Sequence, residues 1–386
     1  MGVVTEAAAA RYRGRMVRAL VREGLLDDER WRAAFAEVPR HRFLPRFFRP
    51  VAPNGWAPID HTDPDWLAQI YDNRVLVTQL DGDPDRWHTA RAEGETHGVP
   101  TSSSSMPGIM AVMLEALEVA GGHRVLEIGT GTGYNAALLC HRLGAANVST
   151  VDVDPALVGT ARSALAACGY GPTCEAADGE LGYPPNAPYD RVLGTCSVSR
   201  IPLAWLDQTR PGGLVVTTLN RPLGAGLVRI TAGEGPCGTG RVLVDDGRFM
   251  PLRAHRQPLD ADLAESLPGA EGATRATPLP ATTVSNPASP FEFFAGLALP
   301  GAVALPRSAE LTLLVHPDGS WARHDAGRQE VTQGGPRRLW DEAETAYTEW
   351  IALGQPHRSR FGITVDPTGQ HLWLDTPDGP NRWPLG

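Results

Sequence analysis

The segment Val125-Leu126-Glu127-Ile128-Gly129-Thr130-Gly131-Thr132-Gly133-Tyr134 constrains this chain more than any other. A short apolar run, an acid, three alternating glycines and a helical apolar pattern describe a first parallel strand turning sharply into its helix. Glycines there let the backbone turn tightly and approach a ligand, and the helix start presents free N–H groups. The flanking segments keep alternating. Arg124–Ile128 reads as a strand, Tyr134–Leu143 as a helix, Val148–Val153 as a strand and Pro155–Cys168 as a helix. Arg191–Thr195, Ile201–Gln208 and Gly213–Leu219 continue as strand, helix and strand. This order predicts a Rossmann-like α/β fold, a doubly wound, mostly parallel sheet with helices on both faces.

Two details direct the glycine loop away from a pyrophosphate. Glu127 precedes the first glycine by two positions, and the spacing is GxGxG rather than GxGxxG. Both suit a cationic, phosphate-free ligand, S-adenosyl-L-methionine (SAM). Asp152, at the end of the next strand, lies 23 residues after Gly129, a distance at which a carboxylate takes ribose hydroxyls. Asp154, before Pro155, is better placed to cap the following helix. Asp178, in Ala177-Asp178-Gly179, is positioned to hold an adenine amino group. Three acids at successive strand ends are more specific than any one of them.

Composition narrows the chemistry. All 35 basic residues are arginines, so there is no lysine for a Schiff base or for a P-loop phosphate. A net charge of −9 argues against general nucleic-acid affinity. No apolar run approaches the ~18 residues of a membrane span, and Met1–Ala10 does not read as a signal peptide. The five cysteines contain no CxxC pair and the histidines no ligand spacing, so reduced cytoplasmic thiols and no metal are expected.

A length of 386 exceeds the ~250–300 residues at which single cores stop growing, so two domains are expected. Residues 1–105 are read as N-terminal helices and a substrate-side segment, 106–253 as the SAM-binding domain, 254–290 as a linker or long loop, and 291–386 as an α+β accessory domain. The first helix ends at Gly24 and the second, from about Asp27 to Val38, at Pro39. Residues 50–100 read as loop-rich, with one strand candidate at Arg74–Gln79. The polar run Thr101–Ser105 precedes a helix from Pro107 to Val119, and Leu227–Val244 suggests antiparallel strands. In the C-terminal part, Leu311–His316 with Trp321–His324, and Phe361–Val365 with His371–Leu374, read as hairpins around a helix at Arg338–Leu353. The tryptophans there, Trp321, Trp340, Trp350, Trp373 and Trp383, are read as core. His41 is read as packing and hydrogen bonding, and Cys196 as pocket wall.

From about Arg11 to Leu219 the chain resembles the protein-L-isoaspartate O-methyltransferases. The matching pieces are Val38-Pro39-Arg40-His41-Arg42-Phe43-Leu44-Pro45, Tyr71-Asp72-Asn73-Arg74-Val75-Leu76, Val125–Leu139, Asp178-Gly179 with Gly182-Tyr183-Pro184, Ala187-Pro188-Tyr189-Asp190-Arg191, and Pro211-Gly212-Gly213. The resemblance implies the class I SAM-dependent methyltransferase fold and methyl transfer to a carboxylate, with S-adenosyl-L-homocysteine as product. A carboxylate with a pKa near ~4 is already ionised at neutral pH, so the reaction asks for positioning rather than a strong base. Glu127, Gly129, Thr130, Gly131, Gly133, Asp152, Val153, Asp178, Gly179 and Thr195 are expected at the cofactor, and Ser103, Ser104 and Ser105 at the acceptor.

The departures from that family suggest a narrower reading. Leu80–Pro100 is inserted, Thr195-Cys196-Ser197-Val198-Ser199 replaces an alanine-rich segment, and residues 230–386 have no counterpart in the compact repair enzymes. This combination is similar to the isoaspartate-methyltransferase-like enzymes of ribosomal peptide natural products (lanthipeptides, graspetides). The expected substrate is then an aspartate in a cyclised ribosomal precursor peptide, whose ester collapses to a succinimide that can hydrolyse to isoaspartate. The alternatives are repair of isoaspartate in damaged proteins, an NAD-binding oxidoreductase, and a non-catalytic SAM-binding scaffold.

Overall fold

The computed structural model describes residues 6–52, 54–219, 221–256 and 271–385. Two helices form where the apolar spacing puts them, α1 (Glu6–Arg22) and α2 (Glu29–Glu37). Asp28 caps α2 by accepting the Arg30 and Trp31 N–H groups, and Trp31, Ala34 and Phe35 are its buried side.

The next segment departs from the loop-rich expectation. It holds β1 (Arg46–Val51), β2 (Gly55–Asp60), α3 (Trp66–Ile70), β3 (Leu76–Leu80), α4 (Arg86–Glu93) and β4 (Pro100–Ser104). The strands make one four-stranded sheet in the order β2-β1-β3-β4. The insertion at 80–100 is therefore folded: Trp87 and Ala90 of α4 close a small core with Phe48, Val77 and Leu80. Short strands broken by Pro50, Pro58 and Gly55 carry little period-2 signal, so tertiary burial decides their state.

Beyond α5 (Pro107–Ala116) the alternation follows the expectation, with β5 (Val125–Ile128), α6 (Tyr134–Leu143), β6 (Val148–Asp152) and α7 (Pro155–Ala167). Then come β7 (Thr173–Ala176), β8 (Tyr189–Val198), α8 (Leu203–Asp207) and β9 (Thr209–Leu219). Strand β7 carries no strong apolar run and is read from the sequence only as a short segment. The strands lie in the order β9-β8-β5-β6-β7, and β5 pairs in parallel with both β6 and β8. All four residues of β5 are buried, as a parallel strand covered on both faces requires.

A hairpin of β10 (Gly226–Ala232) and β11 (Gly238–Val242) follows. The chain divides into two compact units. The first runs through Ser197 and includes Pro202–Thr217 and Arg229–Gly238; the second holds Val198–Ile201, Thr218–Val228 and the chain from Thr239. The expected linker at 254–290 lies partly outside the described residues, at 257–270. The rest of that span is structured, as β12 (Ala273–Ala276) and α9 (Ala281–Ser285).

The second unit continues with α10 (Glu292–Ala298), β13 (Val303–Pro306), β14 (Leu311–Val315), β15 (Trp321–Asp325), β16 (Glu330–Gly334), α11 (Leu339–Ala352), β17 (Phe361–Asp366), β18 (Gly369–Leu374) and β19 (Arg382–Pro384). Both expected hairpins form, β14 with β15 and β17 with β18. Trp321, Trp340, Trp350 and Trp373 are buried. Trp340 also donates its indole N–H to Thr277 Oγ1 at 2.9 Å, which satisfies the one polar atom that burial would otherwise strand.

Candidate active site

Register fixes the geometry of the glycine loop. Ile128 of β5 pairs with Val151 of β6 and with Gly194 of β8, and Asp152 pairs with Ala176 of β7. Gly129, Asp152 and Asp178 therefore come at the carboxyl ends of β5, β6 and β7, level with Thr195 inside the longer β8. Chain order reverses between β5 and β8, and ligands of open α/β sheets bind at such a reversal.

The loop itself is built for close approach. Gly129 has φ +105°, and a Cβ there would stand 2.7 Å from Thr195 Oγ1. Gly131 (φ +51°) donates its N–H to Asp152 Oδ2 at 2.9 Å. The Gly129 and Thr130 N–H groups both reach Val151 O, at 2.8 and 3.1 Å, which ties the loop to β6. Gly133 begins α6 in the left-handed region with no side-chain cap, so the start of the helix keeps its field for a ligand.

Glu127 is fully buried. Its Oε2 accepts from Thr150 Oγ1 and its Oε1 from Asn135 Nδ2, each at 2.7 Å. Thr150 Oγ1 lies a further 2.7 Å from Thr130 Oγ1. This chain of hydroxyls binds β5, β6, α6 and the glycine loop together. Burial pushes the Glu127 carboxyl up to about 7, opposed by the bonds from Thr150 and Asn135. Glu127, Thr130, Gly133 and Gly179 are buried. Gly129, Gly131, Asp152, Val153, Asp178 and Thr195 keep accessible surface.

Asp152 is half-buried, and that burial raises its pKa against the N–H bonds it accepts from Gly131 and Asp154. Asp154 caps α7, as its place before Pro155 implies, through Ala156 N at 2.9 Å. It also accepts from Gln79 Nε2 at 2.8 Å, a tie to β3 that no sequence signal announces. Asp178 accepts from Glu180 N at 3.0 Å and otherwise faces solvent. Val153 and Leu181 are large apolar side chains left 42% and 62% exposed. Leu181 was not foreseen; its one signal is an apolar residue in the polar run Asp178-Gly179-Glu180.

The serine run is strand β4 rather than a loop. Alternation buries Ser102 and Ser104 and leaves Ser103 and Ser105 half-buried. Met106, not a serine, is the N-cap of α5, with no side-chain capping bond. A Cβ on Gly131 would lie 3.5 Å from Ser103 O and 3.9 Å from Ser102 Oγ, so the serine strand passes directly against the glycine loop. The three candidate serines split accordingly, Ser103 and Ser105 accessible and Ser104 turned inward.

These residues fit SAM. The Cβ-free cradle at Gly129 and Gly131, the uncapped start of α6 and the Asp152 carboxylate at the neighbouring strand end offer close backbone approach, a hydroxyl acceptor and negative charge. Phosphate would find Asp152 and no nearby lysine, since the chain has none.

The family model for Protein-L-isoaspartate(D-aspartate) O-methyltransferase (PCMT) matches residues 96–231. The protein-L-isoaspartate O-methyltransferase of Methanoculleus marisnigri is 35% identical over 226 residues, 58% of this chain and 84% of that protein. That of Ignicoccus hospitalis is 32% identical over 203 residues, 52% of this chain and 78% of that protein. A solved protein-L-isoaspartate O-methyltransferase superposes with a TM-score of 0.53 at 21% identity, covering 94% of this chain and 100% of that one. Coverage that broad reaches into the C-terminal unit. With its glycine loop, its acid-bearing strand ends and these relatives, the chain belongs to the protein-L-isoaspartate O-methyltransferase family and is a SAM-dependent methyltransferase.

Proposed function

We propose that the chain methylates the α-carboxylate that an isoaspartyl linkage leaves free in a peptide or protein. The observation that carries this reading is the passage of β4, at Ser102 and Ser103, against Gly131 of the cofactor loop, with Ser105 just beyond the strand's end. SAM supplies an electrophilic methyl group on a sulfonium. The chain's own task is to hold an ionised carboxylate in line with that group and away from water, which needs orientation rather than proton abstraction. The half-buried hydroxyls of Ser103 and Ser105 are the donors for one acceptor oxygen. Asp152 takes the ribose and Asp178 the adenine amino group, with Val153 and Leu181 against the base. Glu127 and Thr150 hold the loop from beneath.

The narrower reading, an aspartyl carboxylate in a cyclised ribosomal peptide, rests on the folded insertion at α4 and on Thr195–Ser199. The C-terminal unit lends it little, because an alignment to a solved protein-L-isoaspartate O-methyltransferase extends over 94% of this chain. An oxidoreductase or a non-catalytic scaffold does not suit a member of this family. Incubation with methyl-labelled SAM, an isoaspartyl peptide, its aspartyl isomer and a cyclised aspartyl peptide separates the readings. Label on the isoaspartyl peptide alone is expected; label confined to the cyclised peptide overturns the proposal in favour of the narrower reading.

A further inference from the structure

Arg40 sits in the 3-10 turn Arg40–Phe43 and is 0% exposed. Among the described residues no carboxylate forms an ion pair with it, and burial pulls its pKa down to about 10. A buried cation without a counter-ion is costly unless its hydrogen bonds are made and its charge has a use. Most of the bonds are made. Nη1 donates to the backbone carbonyls of Ile70 and, at 3.4 Å, Asp72. Nη2 donates to Ser104 Oγ at 3.2 Å and to Ser105 O at 2.9 Å. One planar fork therefore joins the turn after α2, the end of α3 and the junction of β4 with α5. That junction is the proposed acceptor cradle, and the face of Tyr134, the first residue of α6 after the glycine loop, lies 5.8 Å from the guanidinium carbon.

The acids on the glycine-loop side are Glu127, Asp152 and Asp154, and Asp72 lies beside Arg40 itself, so an anionic acceptor comes in among charges of its own sign. The Arg40 guanidinium is the cation bonded directly to the cradle's own backbone and hydroxyl. Its field, little screened because it is buried, favours a carboxylate at Ser103 and Ser105. We propose that Arg40 is a positioning residue for the acceptor carboxylate: through Ser104 and Ser105 it sets the β4–α5 junction and supplies the positive charge that draws an anion there. The proposal rests on the carboxylate-methyltransferase reading.

The test uses the full chain with Arg40→Lys, Arg40→Met and Ser104→Ala, the last removing one bond while keeping the charge. Steady-state kinetics are measured on whichever of the isoaspartyl and cyclised aspartyl peptides the unaltered chain methylates, with S-adenosylhomocysteine affinity by calorimetry and thermal midpoints alongside. Arg40→Met is expected to raise the peptide KM by about 30-fold or more, Arg40→Lys by about tenfold, and Ser104→Ala by about threefold, with cofactor affinity changed less than about threefold. If Arg40→Met lowers the midpoint too far to assay, the graded KM of the other two variants decides. Unchanged peptide KM in Arg40→Lys and Ser104→Ala, or a loss that follows cofactor affinity instead, overturns the proposal alone. Turnover of neither peptide by the unaltered chain overturns the carboxylate reading and this proposal with it.

Discussion

Glu127 is the residue whose place could least be judged beforehand. Its position two before Gly129 marks the loop, yet only the fold shows it sealed beneath. An acid whose folded pKa is raised from 4.5 to about 7 binds its proton more tightly folded than unfolded. Its ionisation therefore removes stability as pH rises through that window, by about 3 kcal/mol at most, and the loss is complete above it. Glu127→Gln should flatten the fall in unfolding free energy between pH 5 and 7, measured by denaturant titration at each pH. The amide also suits the site, since Asn135 Oδ1 has no partner and can accept from it after a flip. An unaltered pH slope would show that Glu127 is ionised throughout. Gly129→Ala meets two obstacles, a φ of +105° and Thr195 Oγ1 at 2.7 Å. Cofactor affinity by calorimetry should fall more than about tenfold, and adding Thr195→Ala should recover part of it, because the backbone cost of roughly 1–2 kcal/mol remains.

At the scale of elements, legibility follows the strength of the local signal. Strands β5, β6, β8 and β9 and the helices between them could be read because each is an apolar run bounded by glycine, proline or aspartate. Both C-terminal hairpins could be read from turns such as Pro317-Asp318-Gly319. Of the N-terminal sheet only β3 could be read, from the apolar run at Arg74–Gln79. Its strands are five or six residues long, and β4 is mostly serine, which favours no strand by itself. They are held by pairing and by Trp87, whose indole donates to Phe47 O at 3.2 Å between the Arg46 and Arg91 guanidiniums. Trp87→Ala should therefore destabilise the chain by about 3 kcal/mol, seen as a lower denaturant midpoint. A midpoint unchanged within error would mean that α4 is a surface ornament rather than the lid of a core.

At the scale of the whole molecule, the grouping of the candidate cofactor residues was legible because parallel register forces strand ends together. Once β5 was placed, Asp152, Asp178 and Thr195 had to share its edge. What sequence order could not supply was contact between distant segments: Gly131 against Ser103, Gln79 on Asp154, Arg40 on Ser104. Those pairs lie 28 to 75 residues apart and carry no periodic signal. The arrangement is proposed to serve an isoaspartyl carboxylate. It is tested most directly by methyl-labelled SAM with an isoaspartyl peptide and its aspartyl isomer, read as base-labile methyl ester. Label is expected on the isoaspartyl peptide, falling by more than about tenfold in Asp152→Ala; labelling of neither isomer would overturn the proposed activity.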